Sequence, residues 1–160
     1  MLPEGSLSSL PPKSLLTPRR LDLAVKWRFF RHLHGGSDFD AERVYRWHIE
    51  ERSGPRMRAG LGTDKWKLSV GDYVGAASRL YASVLSHGVF DPVPVDMNGE
   101  LLDGSHRVAC AVALGIEAIR VQTQPRLVWA PPWNEAWFID KGMASADLGR
   151  LRADWAMMLR

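Results

Sequence analysis

A single cysteine, Cys110, stands in this chain of 160 residues, so no disulfide can form within it. It falls among small apolar residues at helical spacing, a setting that keeps a thiol buried and inert. No apolar run approaches the roughly 18 residues of a membrane span, and the first residues carry no basic leader. The expectation is a cytoplasmic protein without membrane insertion. Internal repeats are absent, and no lysine closes a glycine loop in the Walker manner, which excludes a P-loop enzyme. His32 and His34, two apart on a helical pattern, point to different faces, so they make no zinc site. Ser105 lacks the Gly-x-Ser-x-Gly elbow of a serine hydrolase. Charge is also short: 21 basic against 18 acidic residues leave a formal +3, dispersed apart from local concentrations at 19 to 31 and 52 to 58. Such patches serve a phosphate-bearing small ligand as well as nucleic acid.

With 46% hydrophobic residues the chain can bury one core of its own. Residues 1 to 16, rich in Ser, Pro and Leu, read as an extended arm that needs docking to become ordered, and residues 17 to 160 as one domain. Thr17-Pro18 opens a helix through Leu21, Val25, Phe29 and Leu33, closed by Gly35-Gly36. Ser37 or Asp38 opens a second, through Val44, Tyr45, His48 and Ile49, ended by Ser53-Gly54-Pro55. A charged loop from 56 to 67, containing Asp64 and Lys65, separates it from a capping-box start at Ser69 and Asp72. An amphipathic helix then runs to His87-Gly88. Asn98-Gly99 predicts a type I′ hairpin between strands through Val93, Val95 and Met97 and through Leu101 and Leu102. After it come a helix capped by Ser105 and stopped at Gly115, a strand at 118 to 121, and an aromatic stretch with Trp129, Pro131, Pro132, Trp133, Trp137 and Phe138. Ser145 caps a last helix. The pattern is α+β, a small mixed sheet flanked by helices.

Chemistry concentrates at Asp103, Gly104, Ser105, His106 and Arg107. Strand, tight glycine turn and helix aim free backbone N–H groups and the positive end of a helix dipole at one point, and His106 and Arg107 add donors. A cation at a helix N-terminus is mildly unfavourable, which an anion held by both would offset. Asp22 and Lys26, one turn apart, read either as a surface ion pair or as a phosphate-binding lysine oriented by a carboxylate. Tyr45 and His48 either pack in the core or line the same cleft. Asp64, Lys65 and Lys67 either form a solvated charge run or close over a ligand.

Leu-Asp-Gly-Ser-His-Arg followed by a small-residue helix and Leu-Gly resembles the nucleotide-binding signature of the ParB/sulfiredoxin superfamily, most closely its Asp-Gly-Thr-His-Arg form in ParB-like free serine kinases. The likeness covers about residues 85 to 122. Sulfiredoxins carry their catalytic cysteine where this chain has Ser105, which argues against sulfinic-acid reduction. Chromosome-partitioning ParB proteins usually carry Gly-Glu-Arg-Arg at this turn. The resemblance implies a ParB/sulfiredoxin-like domain in which Gly104, Ser105, His106 and Arg107 hold the phosphates of ATP or ADP and Asp103 lies near the transferred group or its Mg2+. Shorter pieces, Leu21 to Lys26, Tyr45 to Ile49, Lys67 to Tyr73 and Gly88 to Phe90, are similar to ParB-like proteins of surface-polysaccharide biosynthesis. That likeness draws Asp22 and Lys26 toward catalysis, Lys67 toward the cofactor, and Tyr45 and His48 toward a sugar or other hydroxyl-bearing substrate. Two functions stay open here: a nucleotide-dependent phosphotransferase, with Asp22 or Glu50 as base, and a non-catalytic nucleotide- or nucleic-acid-binding module.

Overall fold

A computed structural model of the chain describes residues 5 to 61, 67 to 125 and 133 to 160. The expectations resting on Asp64, Lys65, Trp129, Pro131 and Pro132 lie outside the described residues. Strand β1 (Leu7–Leu10) and a short 3-10 turn lead to α1 (Asp22–Leu33), α2 (Asp40–Arg58) and α3 (Val70–His87); β2 (Val93–Val95), α4 (Ser105–Ala113), β3 (Ile119–Thr123), α5 (Glu135–Asp140) and α6 (Ser145–Met158) follow. This is an α+β domain with a small mixed sheet. No helix among the described residues is long and apolar enough to cross a membrane.

The sheet has the order β1-β3-β2, with β1 antiparallel and β2 parallel to β3. A parallel neighbour demands a crossover, and α4 supplies it. In β3 the pattern alternates strictly: Ile119, Val121 and Thr123 point inward, Arg120 and Gln122 outward. Within the expected arm, Leu7–Leu10 forms an edge strand on β3 and Pro12–Leu15 the 3-10 turn. The expected hairpin is reduced to one bridge between Val95 and Leu101. A type I′ turn needs a positive φ at both central residues, and Asn98 has none. The buried Asp96 carboxylate instead accepts the N–H groups of Asn98 and Glu100, each at 2.8 Å, which draws the chain into a side-chain-held turn.

Helix α1 is the centre of the molecule, buried from Asp22 to Phe30 and packed against α2, α4 and α6. It starts four residues later than the Thr17 cap predicts: the Arg20 N–H bonds the Thr17 carbonyl in a turn, and Arg20 bridges to Trp133 before the helix begins. Helix α2 passes through Pro55 to Arg58. Gly54 has no Cβ to meet the proline ring, so the usual conflict with the preceding residue is relieved and the expected stop does not occur. The loop therefore begins after Arg58. Helix α3 opens on the capping box, Ser69 accepting from the Asp72 N–H and Asp72 from the Ser69 N–H, and ends on Gly88 at φ +72°. Small residues on α4, among them Ala109, Cys110 and Ala111, are fully buried and let it lie close to α1. Burial pushes the Cys110 thiol up to about 12, as an inert cysteine requires.

Candidate functional site

The turn before α4 is built around Gly104, which takes φ +83° and caps the helix in place of Ser105. A side chain there is disfavoured by the left-handed backbone, at about 1–2 kcal/mol, and its Cβ, 2.9 Å from Arg107 Nη2, would push the guanidinium aside. The Arg107 guanidinium folds back over this glycine and donates through Nη1 to the carbonyls of Pro92 at 2.9 Å and Asp91 at 3.2 Å. Asp103 Oδ1 accepts the Gly104 N–H at 2.6 Å. The turn is thereby held rigid, and no side chain caps the first turn of α4.

Beside it lies a cleft of about 270 Å³, lined by Asp103, Gly104, Ser105, His106 and Arg107 from the turn and by Lys67, Tyr73, Ala77 and Leu80 from α3 and the segment before it. Six of the residues singled out from the sequence are therefore neighbours: Lys67, Asp103, Gly104, Ser105, His106 and Arg107. Lys67 Nζ stands 5.0 Å from the Tyr73 ring centre, where a cation is favoured by the ring's negative face.

Asp22 and Lys26 form a second layer. Both are fully buried, so their pairing is no surface ion pair. Arg20 grips Asp22 with both prongs, Nε to Oδ1 at 2.9 Å and Nη2 to Oδ2 at 3.1 Å, while Lys26 bonds Oδ2 and reaches Ser105 Oγ at 3.0 Å. Burial alone would raise the Asp22 carboxyl, but the charges of Lys26 and Arg20 more than reverse this and hold it well below the usual range. Asp22 is saturated by cations and, like Lys26, absent from the cleft lining, so the pair reaches the cleft only through Ser105. Burial lowers the Lys26 ammonium to about 7, Asp22 offsetting part of the shift and the charges of Arg52 and Arg20 adding to it.

Tyr45 is buried behind His106, its hydroxyl 2.8 Å from Nε2 and its ring stacked on Phe29 with centres 4.5 Å apart. His48 stands apart from the cleft, fully buried against Trp137 and Phe138 at 5.5 and 5.6 Å. Neither of its ring nitrogens has a hydrogen-bond partner among the described residues. Glu50 pairs with Arg58 at the surface and does not line the cleft. Burial first, and then the charges of Lys26 and Arg52, hold both His48 and His106 well below the ordinary imidazole range.

These histidines give the fold an acid limit. Both stay neutral when folded, whereas in the unfolded chain they take up protons below about pH 6.5. The unfolded state then binds more protons, and stability falls as pH drops, by up to about 1.4 kcal/mol per pH unit for each histidine. Urea unfolding of the protein and of His48→Leu between pH 6.5 and 5 should show the shallower slope in the variant; equal slopes would mean that His48 takes up its proton within the fold.

In comparisons with known proteins, no family model, no curated protein and no solved structure matches this chain. The site is legible only through its own chemistry. Two residues that sequence reasoning passed over belong to it. Arg20 anchors Asp22, donates to the Leu101 carbonyl at 3.2 Å and lies over the Trp133 ring at 5.0 Å. Arg52 lies over the rings of Tyr73 and Trp133, at 5.8 and 5.9 Å. Its signal was present: Tyr45, His48 and Arg52 recur three and four apart on one face of α2. No pattern marks Arg20 as part of a site: Asp22 is two residues on, but Leu101 and Trp133 are reached only in the fold. Behind the cleft one carboxylate, Asp22, is shared by the two cations Arg20 and Lys26, and Asp103 stands exposed at the cleft itself.

Proposed function

We propose that this chain is a cytoplasmic ParB-like, nucleotide-dependent phosphotransferase that holds the phosphates of ATP or ADP at the N-terminus of α4 and passes a phosphoryl group to the hydroxyl of a small acceptor, a sugar among the candidates. The observation that carries the reading is the buried Lys26 ammonium set 3.0 Å from Ser105 Oγ, directly behind a rigid, uncapped helix start. A fully buried ammonium that shares its one carboxylate with an arginine is costly, and an anion held at the helix start beside it would favour its charged form. Phosphoryl transfer asks mainly for positioning and charge neutralisation, and backbone N–H groups, Lys67 and Lys26 offer both.

Among the described residues no group of three or more His, Cys, Asp or Glu side chains forms a metal cage. Mg2+ does not need one: it is commonly held by one or two carboxylates together with substrate phosphates and water. Asp103, exposed at the cleft mouth, fits that role. When bound, Mg2+ would neutralise charge on the transferring phosphates. Gly104 and the first turn of α4 would hold the phosphate oxygens, Lys67 would cover them, and Tyr45 would fix the His106 ring at the back wall. The cleft volume suits the phosphate end of a nucleotide, with the base beyond it.

Titration calorimetry with ATP and Mg2+ tests this reading. Binding is expected, and Lys67→Met should weaken it by about 1.5–3 kcal/mol, the value of a hydrogen bond to a charged group. No measurable binding of ATP or ADP overturns it. Binding of duplex DNA with a steep salt dependence, in place of nucleotide binding, would point to the nucleic-acid module instead.

A further inference from the structure

Ser105 is in an unusual position for a residue at a helix start. Its hydroxyl caps nothing, since Gly104 occupies the cap and no side chain bonds the first-turn N–H groups. The hydroxyl is spent on Lys26 Nζ at 3.0 Å, from a residue only 8% exposed that nonetheless lines the cleft. Lys26 in turn is not required as a cation by its carboxylate. Arg20 already balances Asp22 through two parallel bonds, so the loss of a proton from Lys26 leaves no buried charge unpaired. A neutral amine there would present a lone pair to the serine O–H, and the donor and acceptor of the present bond would exchange roles.

We infer that Ser105 and Lys26 form a nucleophile–base pair, and that phosphoryl transfer proceeds in two steps through a phosphoserine at position 105. The inference rests on the nucleotide reading of the same cleft. In the first step Ser105 Oγ attacks the terminal phosphorus of the nucleoside triphosphate. The Oγ–P bond forms, the bond from phosphorus to the bridging oxygen breaks, the nucleoside diphosphate leaves with that electron pair, and the serine proton passes to Lys26 Nζ. In the second step the acceptor oxygen attacks the same phosphorus, Ser105 Oγ leaves, and a proton returns from Lys26 to Oγ as the acceptor proton is released. The N–H groups of the first turn of α4 face the phosphoryl oxygens in both steps, as such groups do at anion sites on helices. Asp22 and Arg20 are positioning residues: they fix the lysine and set the charge around it.

A double-displacement enzyme exchanges label between ADP and ATP without any acceptor, whereas direct transfer to acceptor does not. The protein, incubated with ATP, Mg2+ and labelled ADP, is expected to catalyse this exchange and to gain the mass of one phosphoryl group on the peptide containing Ser105. Ser105→Ala should lose both while binding ATP within a few-fold of the parent. The exchange rate should rise with pH through about 7, as Lys26 loses its proton amid Asp22, Arg20, Arg52, His48 and His106. If ATP binds and either the exchange is absent or Ser105→Ala retains it, the phosphoserine is overturned and the nucleotide reading stands. If ADP binds and ATP does not, the phosphoserine formed from a triphosphate is overturned and the nucleotide reading stands; if neither binds, both fall together.

Discussion

Asp22→Asn should destabilise the protein by about 3–5 kcal/mol at pH 7, the range expected when one partner of a buried ion pair is removed and an uncompensated charge remains. Arg20 loses the carboxylate that both of its prongs hold, within a site that excludes water. Lys26 can escape the same fate by giving up its proton, but an arginine cannot. The loss should therefore be greater at pH 6 than at pH 8, because the lysine sheds its charge between those values. Urea unfolding at the two pH values measures it. A loss under about 1 kcal/mol, independent of pH, would mean that water reaches the pair and that it behaves as a surface bridge.

Lys26→Met should separate stability from function in the opposite sense. The unbranched thioether follows the path of the lysine stem, and Asp22 keeps its bidentate partner, so stability at pH 7 should change by less than about 1.5 kcal/mol. Phosphoryl transfer should fall by about 10²–10⁴-fold, the share that a positioned general base contributes. A pH series gives an independent signature. The folded lysine titrates at about 7 against 10.5 for an exposed one, so between those values the unfolded chain binds the extra proton and the parent protein gains stability as pH rises. That rise should be missing in Lys26→Met. Equal turnover in the two proteins would reduce Lys26 and Asp22 to a structural pair and confine the site to the turn from Asp103 to Arg107.

Both predictions depend on α1 being buried on every side, which its pattern of Leu21, Val25, Phe29 and Leu33 does not disclose. An apolar stripe at helical spacing says which face is buried first; it is silent on whether its flanks, Asp22 and Lys26 on one side and Arg28 on the other, meet water or another part of the fold. Here Ser105 of α4 meets Lys26, and Asp38 and Asp154 meet Arg28. The features written in short windows were legible. Ser69 and Asp72 satisfy each other's backbone within one turn, Gly88 and Gly104 take a left-handed φ that other residues resist, and α3 shows its inner face through Tyr73, Ala77 and Val84. Local rules also misled where the tertiary structure outweighed them. Pro55 ends no helix because Gly54 precedes it, and Asn98-Gly99 makes no type I′ turn because the buried Asp96 carboxylate organises the backbone there.

By itself the sequence determined the α+β class, the glycine turn and helix around Gly104 and the candidates Asp103, Ser105, His106 and Arg107, since each is specified by backbone dihedrals, capping and periodicity over a few residues. The tertiary structure alone decided the rest. Lys26 and Ser105 lie 79 positions apart, Tyr45 and His106 61, Arg20 and the Leu101 carbonyl 81, and β1 pairs with β3 across most of the chain. Such contacts carry no periodic signal, because they depend on which faces the helices turn toward one another once the core has closed. Whether a lysine is a solvated ammonium or a buried base is fixed only by that closure, through the water it removes and the charges it brings near.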